Sequence, residues 1–288
     1  MKMAQCNVCF RHCKISEGQN GFCGARTCKN GTVVPENYGR VTSLALDPIE
    51  KKPLYRFHPG STILSVGSYG CNLRCPFCQN YSISWSDQAM EYRHMAELLS
   101  PEELVSVALR CRNQRNIGLA FTYNEPLIGF EFVRDTAKRA HDSGLVNVLV
   151  TNGTAELSVL EEIAPHIDAM NIDLKGFTDH YYCDVLKGSR SSAMEFIQEA
   201  VKRCHIELTT LIVPGENDTP EEMDELSAWI AGLAEVCGGK TANEIPLHIT
   251  RFFPRFHMLD RQATDVSAVY RLADIARKHL RYVYVGNC

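Results

Sequence analysis

The sequence predicts an α/β fold, a partial (β/α)6 barrel with a small cysteine-rich module at its N-terminus. Three observations predict it. From about residue 60 onward, short β-branched or apolar runs alternate with amphipathic stretches; two of these stretches open on well-marked helix starts; and the first 35 residues crowd cysteine and glycine together with little periodicity. Strand-like runs fall at 62–66, 117–123, 146–151, 169–174, 206–213, 246–250 and 282–285, with helix-like stretches between them at 101–111, 131–141, 155–163, 193–204, 220–234 and 268–280. Strands and helices in strict alternation give a parallel sheet. Ser100-Pro101-Glu102-Glu103 and Thr219-Pro220-Glu221-Glu222 each supply a capping hydroxyl, proline at the first helical position and glutamate at the third. Roughly six βα units in about 225 residues suit a partial barrel, since a full eight-unit barrel takes ~250 residues. The expected division is residues 1–58 for the cysteine-rich module with its linker and 59–288 for the barrel.

With 288 residues, 45% of them hydrophobic, the chain has enough apolar material for one large core. A net charge of −4 advertises no nucleic-acid or membrane surface. The N-terminal MKMAQCNVCF lacks the apolar stretch of a signal peptide, and no window reaches the ~18 uninterrupted apolar residues of a membrane span, so a cytoplasmic location is expected. In that reducing compartment thirteen cysteines read as metal ligands or reactive thiols before disulfides. Cys111, Cys183, Cys204, Cys237 and Cys288 are scattered and are expected to be small core residues. The other eight fall into two groups.

Cys71, Cys75 and Cys78 follow the first barrel strand directly. Four cysteines saturate a [4Fe–4S] cluster; three leave one iron open to another ligand. A catalytic zinc with three thiolates is the metal-binding alternative. The C-terminal edge of a barrel sheet is where chemistry gathers, and polar residues do collect after the strand-like runs: Asn124-Glu125, Asn152, Asp173 and Lys175. Asp173 and Lys175, two apart on a strand, share a face.

Cys-x3-Cys-x2-Cys with Phe77 just before the last cysteine resembles the signature loop of the radical S-adenosylmethionine (SAM) superfamily. The resemblance implies that the open iron chelates the amino and carboxylate groups of SAM. The reduced cluster then cleaves SAM to methionine and a 5′-deoxyadenosyl radical, which abstracts a hydrogen atom. It puts Phe77 beside the adenine and Glu125 on the SAM ammonium, although Thr122-Tyr123-Asn124-Glu125-Pro126 departs from the family's double glycine. Asn152 resembles the third-strand contact to the ribose or methionine end. Asp173 and Lys175 resemble the Asp-x-Lys of enzymes that install glycyl radicals, and Leu211 lies in a fifth-strand segment like theirs. Thr209 stands where those enzymes carry arginine, and His248 is a candidate to reach the nucleoside.

Cys6, Cys9, Cys13 and Cys23 form a four-thiolate set, with Gly18, Gly21 and Gly24 for turns and with His12 and Cys28 as substitutes. The spacing fits either zinc or an auxiliary [4Fe–4S] cluster. Together with residues 47–55 and 282–287, this N-terminal pattern resembles a branch close to pyruvate formate-lyase activating enzyme, the AmmeMemoRadiSam system radical SAM enzymes. That branch often continues into a cysteine-containing tail, where this chain ends at Cys288. The resemblance implies an oxidoreductase that modifies a protein. Its partners would be a reductant such as flavodoxin or ferredoxin, a protein substrate, and the AmmeMemo proteins. Radical modification of a small molecule or RNA, or a metal-binding scaffold carrying electrons, are the alternatives.

Overall fold

The protein is described by a computed structural model covering residues 2–233 and 244–288. Its centre is an eight-stranded sheet: β1 (Ser43–Pro48), β2 (Thr62–Gly67), β3 (Asn116–Phe121), β4 (Val146–Thr151), β5 (Ala169–Asp173), β6 (His205–Ile212), β7 (Leu247–Arg251) and β8 (Val283–Gly286), paired in that order. Strands β2 to β8 are all parallel, and β1 runs antiparallel along the edge of β2. Among the described residues one main helix precedes each strand from β3 to β8: α1 (Pro101–Arg110), α2 (Phe130–Asp142), α3 (Leu157–Ile163), α4 (Arg190–Ala200), α5 (Pro220–Gly232) and α6 (Val266–Ala276), with two further helices, Tyr81–Ser84 and Asp87–Met95, ahead of α1. The strand order never reverses, so right-handed crossovers put α1 to α6 on one face and leave the other as the concave interior of an open barrel. Six βα units are present as expected, and residues 283–286 close the series as a seventh parallel strand.

Alternation along the strands separates the two faces. Met170, Ile172, Leu208, Leu247 and Ile249 point outward into the main apolar core with Phe196, Leu226 and Leu272 of the helices. Asn171, Asp173, Glu207, Thr209 and His248 alternate with them and line the interior. At the base, Ile49, Leu54 and Ile63 pack with Ala120, Val148 and Ala169, whose small side chains leave room for the segment that plugs the barrel.

Glu207 sits on this floor with no side-chain exposure. Its Oε1 accepts from Arg56 N at 2.7 Å and is 3.0 Å from His205 Nε2; its Oε2 accepts from Tyr55 N at 3.0 Å and lies 2.6 Å from His248 Nε2. Burial pushes the carboxyl pKa up, but the two histidines and two backbone N–H groups outweigh it and hold the pKa down to about 2.

The N-terminal module packs directly on the barrel. Val8, Ile15 and Cys28 belong to the main core, Glu156 N donates to Val8 O at 2.9 Å, and Arg26 grips Glu131 of α2 through two hydrogen bonds of 2.9 and 2.7 Å. Residues 43–48, read from sequence as linker, instead extend the barrel sheet as β1. Both expected helix starts are present. At α1 the hydroxyl of Ser100 and the carboxylate of Glu103 cap each other's backbone. At α5 the hydroxyl of Thr219 caps Glu222 N, but Glu222 turns away and accepts from Phe177 N at 2.5 Å. Of the scattered cysteines, Cys183 and Cys288 are exposed rather than buried, Cys111 and Cys204 are half-buried, and Cys237 lies outside the described residues.

A buried carboxylate that organises four donors should be expensive to remove. Glu207→Ala is expected to lower the unfolding free energy by about 3–5 kcal/mol. Glu162→Ala, which breaks the exposed Arg134–Glu162 pair, should change it by about 1 kcal/mol or less. Urea midpoints of the anaerobically purified proteins measure both, and an unshifted midpoint for Glu207→Ala would remove the carboxylate from any structural role.

Candidate functional site

The segment 67–80 leaves the C-terminal end of β2 and is pinned by four pieces of chain. From the β3 side, Ser68 N donates to Asn124 Oδ1 at 3.0 Å and Asn124 Nδ2 to Gly70 O at 3.1 Å. From the N-terminal module, Cys23 O accepts Cys71 N at 3.3 Å. From below α4, Leu186 O accepts Arg74 N at 2.8 Å, while the Arg74 guanidinium closes back on Cys71 O and Leu73 O. Pro76 O accepts His257 N at 2.8 Å, which brings the segment after β7 onto the same loop.

This frame gathers Cys71, Cys75 and Cys78 into one electrostatically coupled group. Burial pushes the Cys71 thiol well above its ordinary value, Cys75 up to about 12, and Cys78 up as well. A metal or iron–sulfur cluster bound among these thiols would draw them to the thiolate form. Three soft sulfur donors on one loop suit an iron–sulfur cluster by chemistry.

The groups expected around the loop fall on its two sides. Next to Cys71 is Glu125, 3% exposed. Its Oε1 accepts from Thr151 Oγ1 at 2.7 Å and Leu127 N at 3.0 Å, and its Oε2 from Asn152 N at 2.8 Å. Burial raises this carboxyl to about 7 despite those hydrogen bonds. Asn152 is turned to the loop itself: its Nδ2 donates to Asn72 Oδ1 at 2.8 Å and approaches Cys71 Sγ at 3.9 Å, while its Oδ1 accepts from Thr154. Facing Cys75 and Cys78 is Lys175, whose Nζ donates to Asp173 Oδ2 at 2.9 Å. Burial alone would lower the lysine pKa, but Asp173 and Cys75 hold it above the ordinary range.

Phe77 and Leu211 meet in an apolar wall with Leu73, Cys75, Val213 and Phe252. His248 does not join them. It is 3% exposed, its Nε2 is taken by Glu207, and its ring packs on Tyr55 and Tyr284, so it braces the floor rather than reaching a nucleoside at the mouth. Thr209 is likewise committed inside, donating to Asn171 Oδ1 at 3.0 Å.

The sequence reading missed Tyr181 and Tyr182, both fully buried in the same wall. They lie on a single π-helical turn (Tyr181–Val185), a form frequent at functional sites and without a sequence signature. Tyr182 accepts Lys175 N at 3.1 Å, and Asn217 Nδ2 donates to Lys175 O at 2.7 Å, so both hold the lysine in place. The Tyr181 hydroxyl is buried near Cys75 and Lys175 with no hydrogen-bond partner among the described residues.

Of the four N-terminal thiols, Cys6, Cys9, Cys13 and Cys23 line one small cavity. Cys28 is fully buried elsewhere, against Glu17, and His12 pairs with Glu156 at 3.2 Å. Among the described residues no helix is long and apolar enough to cross a membrane.

Comparison with known proteins agrees with this architecture. An uncharacterised protein of Methanocaldococcus jannaschii is 39% identical over 286 residues, covering 98% of this chain and 81% of that protein. The pyruvate formate-lyase 1-activating enzyme of Escherichia coli K12 is 24% identical over 173 residues, 58% of this chain and 68% of that enzyme. The indoleacetate decarboxylase activating enzyme of Tractidigestivibacter scatoligenes is 24% identical over 267 residues, 90% and 78% of the two chains. Among solved structures, Streptococcus suis SuiB superposes with a TM-score of 0.57 at 10% identity over 77% of this chain and 48% of that one. Escherichia coli QueE gives 0.51 at 14% identity over 86% and 93%. The family profile described as the Radical SAM superfamily matches residues 65–230, from β2 and the cysteine loop through α5, and the chain belongs to that superfamily.

Proposed function

We propose that Cys71, Cys75 and Cys78 hold a [4Fe–4S] cluster whose fourth iron binds SAM, and that the enzyme uses the resulting radical to modify a partner protein. The observation that carries the reading is the gathering of three thiols, Cys75 buried and Cys71 and Cys78 half-buried, on one loop at the C-terminal sheet edge, between Glu125 and the Asp173–Lys175 pair. Bound there, the cluster and SAM supply a one-electron cleavage to methionine and a hydrogen-abstracting 5′-deoxyadenosyl radical.

The chain's own residues hold and orient. Glu125, fixed by three hydrogen bonds, presents its carboxyl beside Cys71 to receive the SAM ammonium, a charge-assisted contact that stabilises its ionised form. Lys175 and Asp173 offer a cation and an anion to the opposite end of SAM. Phe77, in its wall with Leu211 and Phe252, offers an apolar face to the adenine. Asn152 acts on Cys71 and its loop, as a positioning residue.

Two relatives named as activating enzymes, one matching 90% of this chain, favour a polypeptide as the hydrogen donor. AmmeMemo proteins, to which the sequence resemblance points, are the partners to offer first. Flavodoxin or ferredoxin would serve as reductant.

Anaerobically reconstituted protein is expected to release 5′-deoxyadenosine and methionine from SAM under reduction, and Cys75→Ala to release none, both read by chromatography. Iron-loaded wild type giving no 5′-deoxyadenosine would sink the catalytic reading. Incubation with deuterium-labelled AmmeMemo partners or a deuterium-labelled small-molecule candidate then shows which of them gives up deuterium to 5′-deoxyadenosine.

Glu125→Gln keeps the shape of the side chain and removes its charge. It should weaken SAM binding by about tenfold or more, the ~1.5–3 kcal/mol of a charged hydrogen bond. Calorimetry on the cluster-loaded protein measures this, and unchanged affinity would take Glu125 out of the SAM site.

A further inference from the structure

We infer, resting on the proposed cluster at Cys71, Cys75 and Cys78, that the hydroxyl of Tyr181 donates a hydrogen bond to that cluster and sets how readily it takes up an electron.

Tyr181 and Tyr182 are neighbours on the π-helical turn and share one apolar wall with Cys75, yet their hydroxyls are used differently. The Tyr182 hydroxyl accepts Lys175 N at 3.1 Å. Tyr181 has no exposed surface at all, and its hydroxyl has no hydrogen-bond partner among the described residues. A buried hydroxyl without a partner is destabilising, and folded chains keep few of them without a use.

The polar groups around this hydroxyl are committed elsewhere. It faces Cys75, Lys175, Glu216 and Tyr182. Lys175 is itself a donor and is paired with Asp173, Glu216 holds Arg261 at 2.6 Å, and Tyr182 is occupied by Lys175 N. Cys75 is left, and its sulfur is not a partner of the hydroxyl in the absence of a cluster. The missing acceptor is therefore one that Cys75 brings with it when it ligates iron, namely a sulfur of the cluster.

The ring is held where it can make this contact. It lies against Gly176, where a Cβ would meet Tyr181 Cδ1 at 2.6 Å and Cε1 at 3.1 Å. Tyr181 N donates to Thr178 Oγ1 at 3.2 Å, and its carbonyl accepts Leu186 N at 3.1 Å. Gly176 directly follows Lys175, so the absence of a side chain there admits the aromatic ring beside the lysine. Burial raises the Tyr181 pKa well above the ordinary tyrosine value, Cys75 pushes the same way and Lys175 opposes, so the group stays a protonated, neutral donor.

Position favours the cluster over SAM as the acceptor. Glu125, which takes the SAM ammonium on the proposed reading, stands beside Cys71, whereas Tyr181 stands on the Cys75 side. Reduction adds one electron to the cluster, and the hydrogen bond changes no covalent bond. A donor to cluster sulfur favours the more negative, reduced form, so it raises the potential.

Redox titration of the anaerobically reconstituted full chain, followed by electron paramagnetic resonance without SAM, tests this on wild type, Tyr181→Phe and Gly176→Ala. The triad's signal is identified as the one that SAM, added afterwards, alters. Tyr181→Phe keeps the ring and removes only the donor. It should load as much iron as wild type and make one-electron reduction about tenfold less favourable, a potential about 59 mV more negative. Gly176→Ala, which displaces the ring, should shift the potential in the same direction, and it decides the matter should the phenylalanine variant take up no cluster. Electron–nuclear double resonance of the reduced wild type should show a coupled exchangeable proton that Tyr181→Phe lacks. A SAM-responsive cluster with unchanged potential in Tyr181→Phe overturns the inference alone, as does an unchanged potential accompanied by weaker SAM binding, which would make SAM the acceptor. A wild type without any SAM-responsive cluster overturns the triad reading as well.

Discussion

The site depends on how closely the cysteine loop is pressed between the barrel and the N-terminal module. Gly70 marks the contact. Its φ of +94° is outside the range that side chains favour, and a Cβ there would meet Cys23 O at 2.7 Å and Ala25 Cβ and Ile128 Cδ1 at 2.8 Å. With no side chain to hold the two apart, Cys71 N reaches Cys23 O, and the first cysteine of the triad is set by backbone on both sides. Gly67, at the end of β2, permits a second close approach, since a Cβ there would meet Tyr123 Cδ2 at 2.8 Å. Tyr123, itself at φ +73°, starts the turn that delivers Asn124 and Glu125 to the loop. Two glycines therefore align three pieces of chain that are far apart in sequence.

The interior of the barrel divides into two polar layers with different tasks. The floor is closed and charged, with Glu207 joining His205, His248 and the backbone of residues 55–56. The mouth is lined by groups of both signs and by an aromatic wall. Burying an ion pair brings little net stability against an apolar replacement, so its use on the floor is better understood as fixing which segment plugs the barrel. Glu207 selects residues 55–56 by accepting two of their N–H groups, and the apolar plug of Ile49 and Leu54 follows.

What the sequence disclosed was whatever depends on near neighbours. The cap of α1 was legible because Ser100 and Glu103 satisfy each other within one turn. The cysteine loop was legible from spacing alone, and the strand order followed from alternation. Glu222 looked like the second half of a capping box, but its partner, Phe177 N, comes from 45 residues away. His248 was read as a candidate to reach the nucleoside and lies instead against Glu207 on the floor, because strand alternation fixes the face of a residue and says nothing of depth. Its place as second residue of β7 was the available clue, since catalytic groups lie at the other end of barrel strands. The π-helical turn of Tyr181 offered no such clue, because five-residue backbone bonding leaves no periodic trace in so short a segment.

The charge balance at the mouth narrows what can bind there on the proposed reading. Glu125 and Asp173 face three thiols that become anionic around a cluster, and Lys175 is the cation paired with them. An anionic ligand entering this surface would meet repulsion from both carboxylates and from the thiolate-rich loop. On that reading the ammonium of SAM would meet Glu125, the carboxylate on the same carbon would stay with it at the open iron, and the sulfonium and nucleoside would extend toward Asp173 and Lys175. The Tyr181 hydroxyl, buried near Cys75 and Lys175 without a hydrogen-bond partner among the described residues, is a further polar group on that side of the triad. On the proposed reading, Glu125, Asp173 and Lys175 would serve a ligand that carries both signs of charge beside the open edge of the triad.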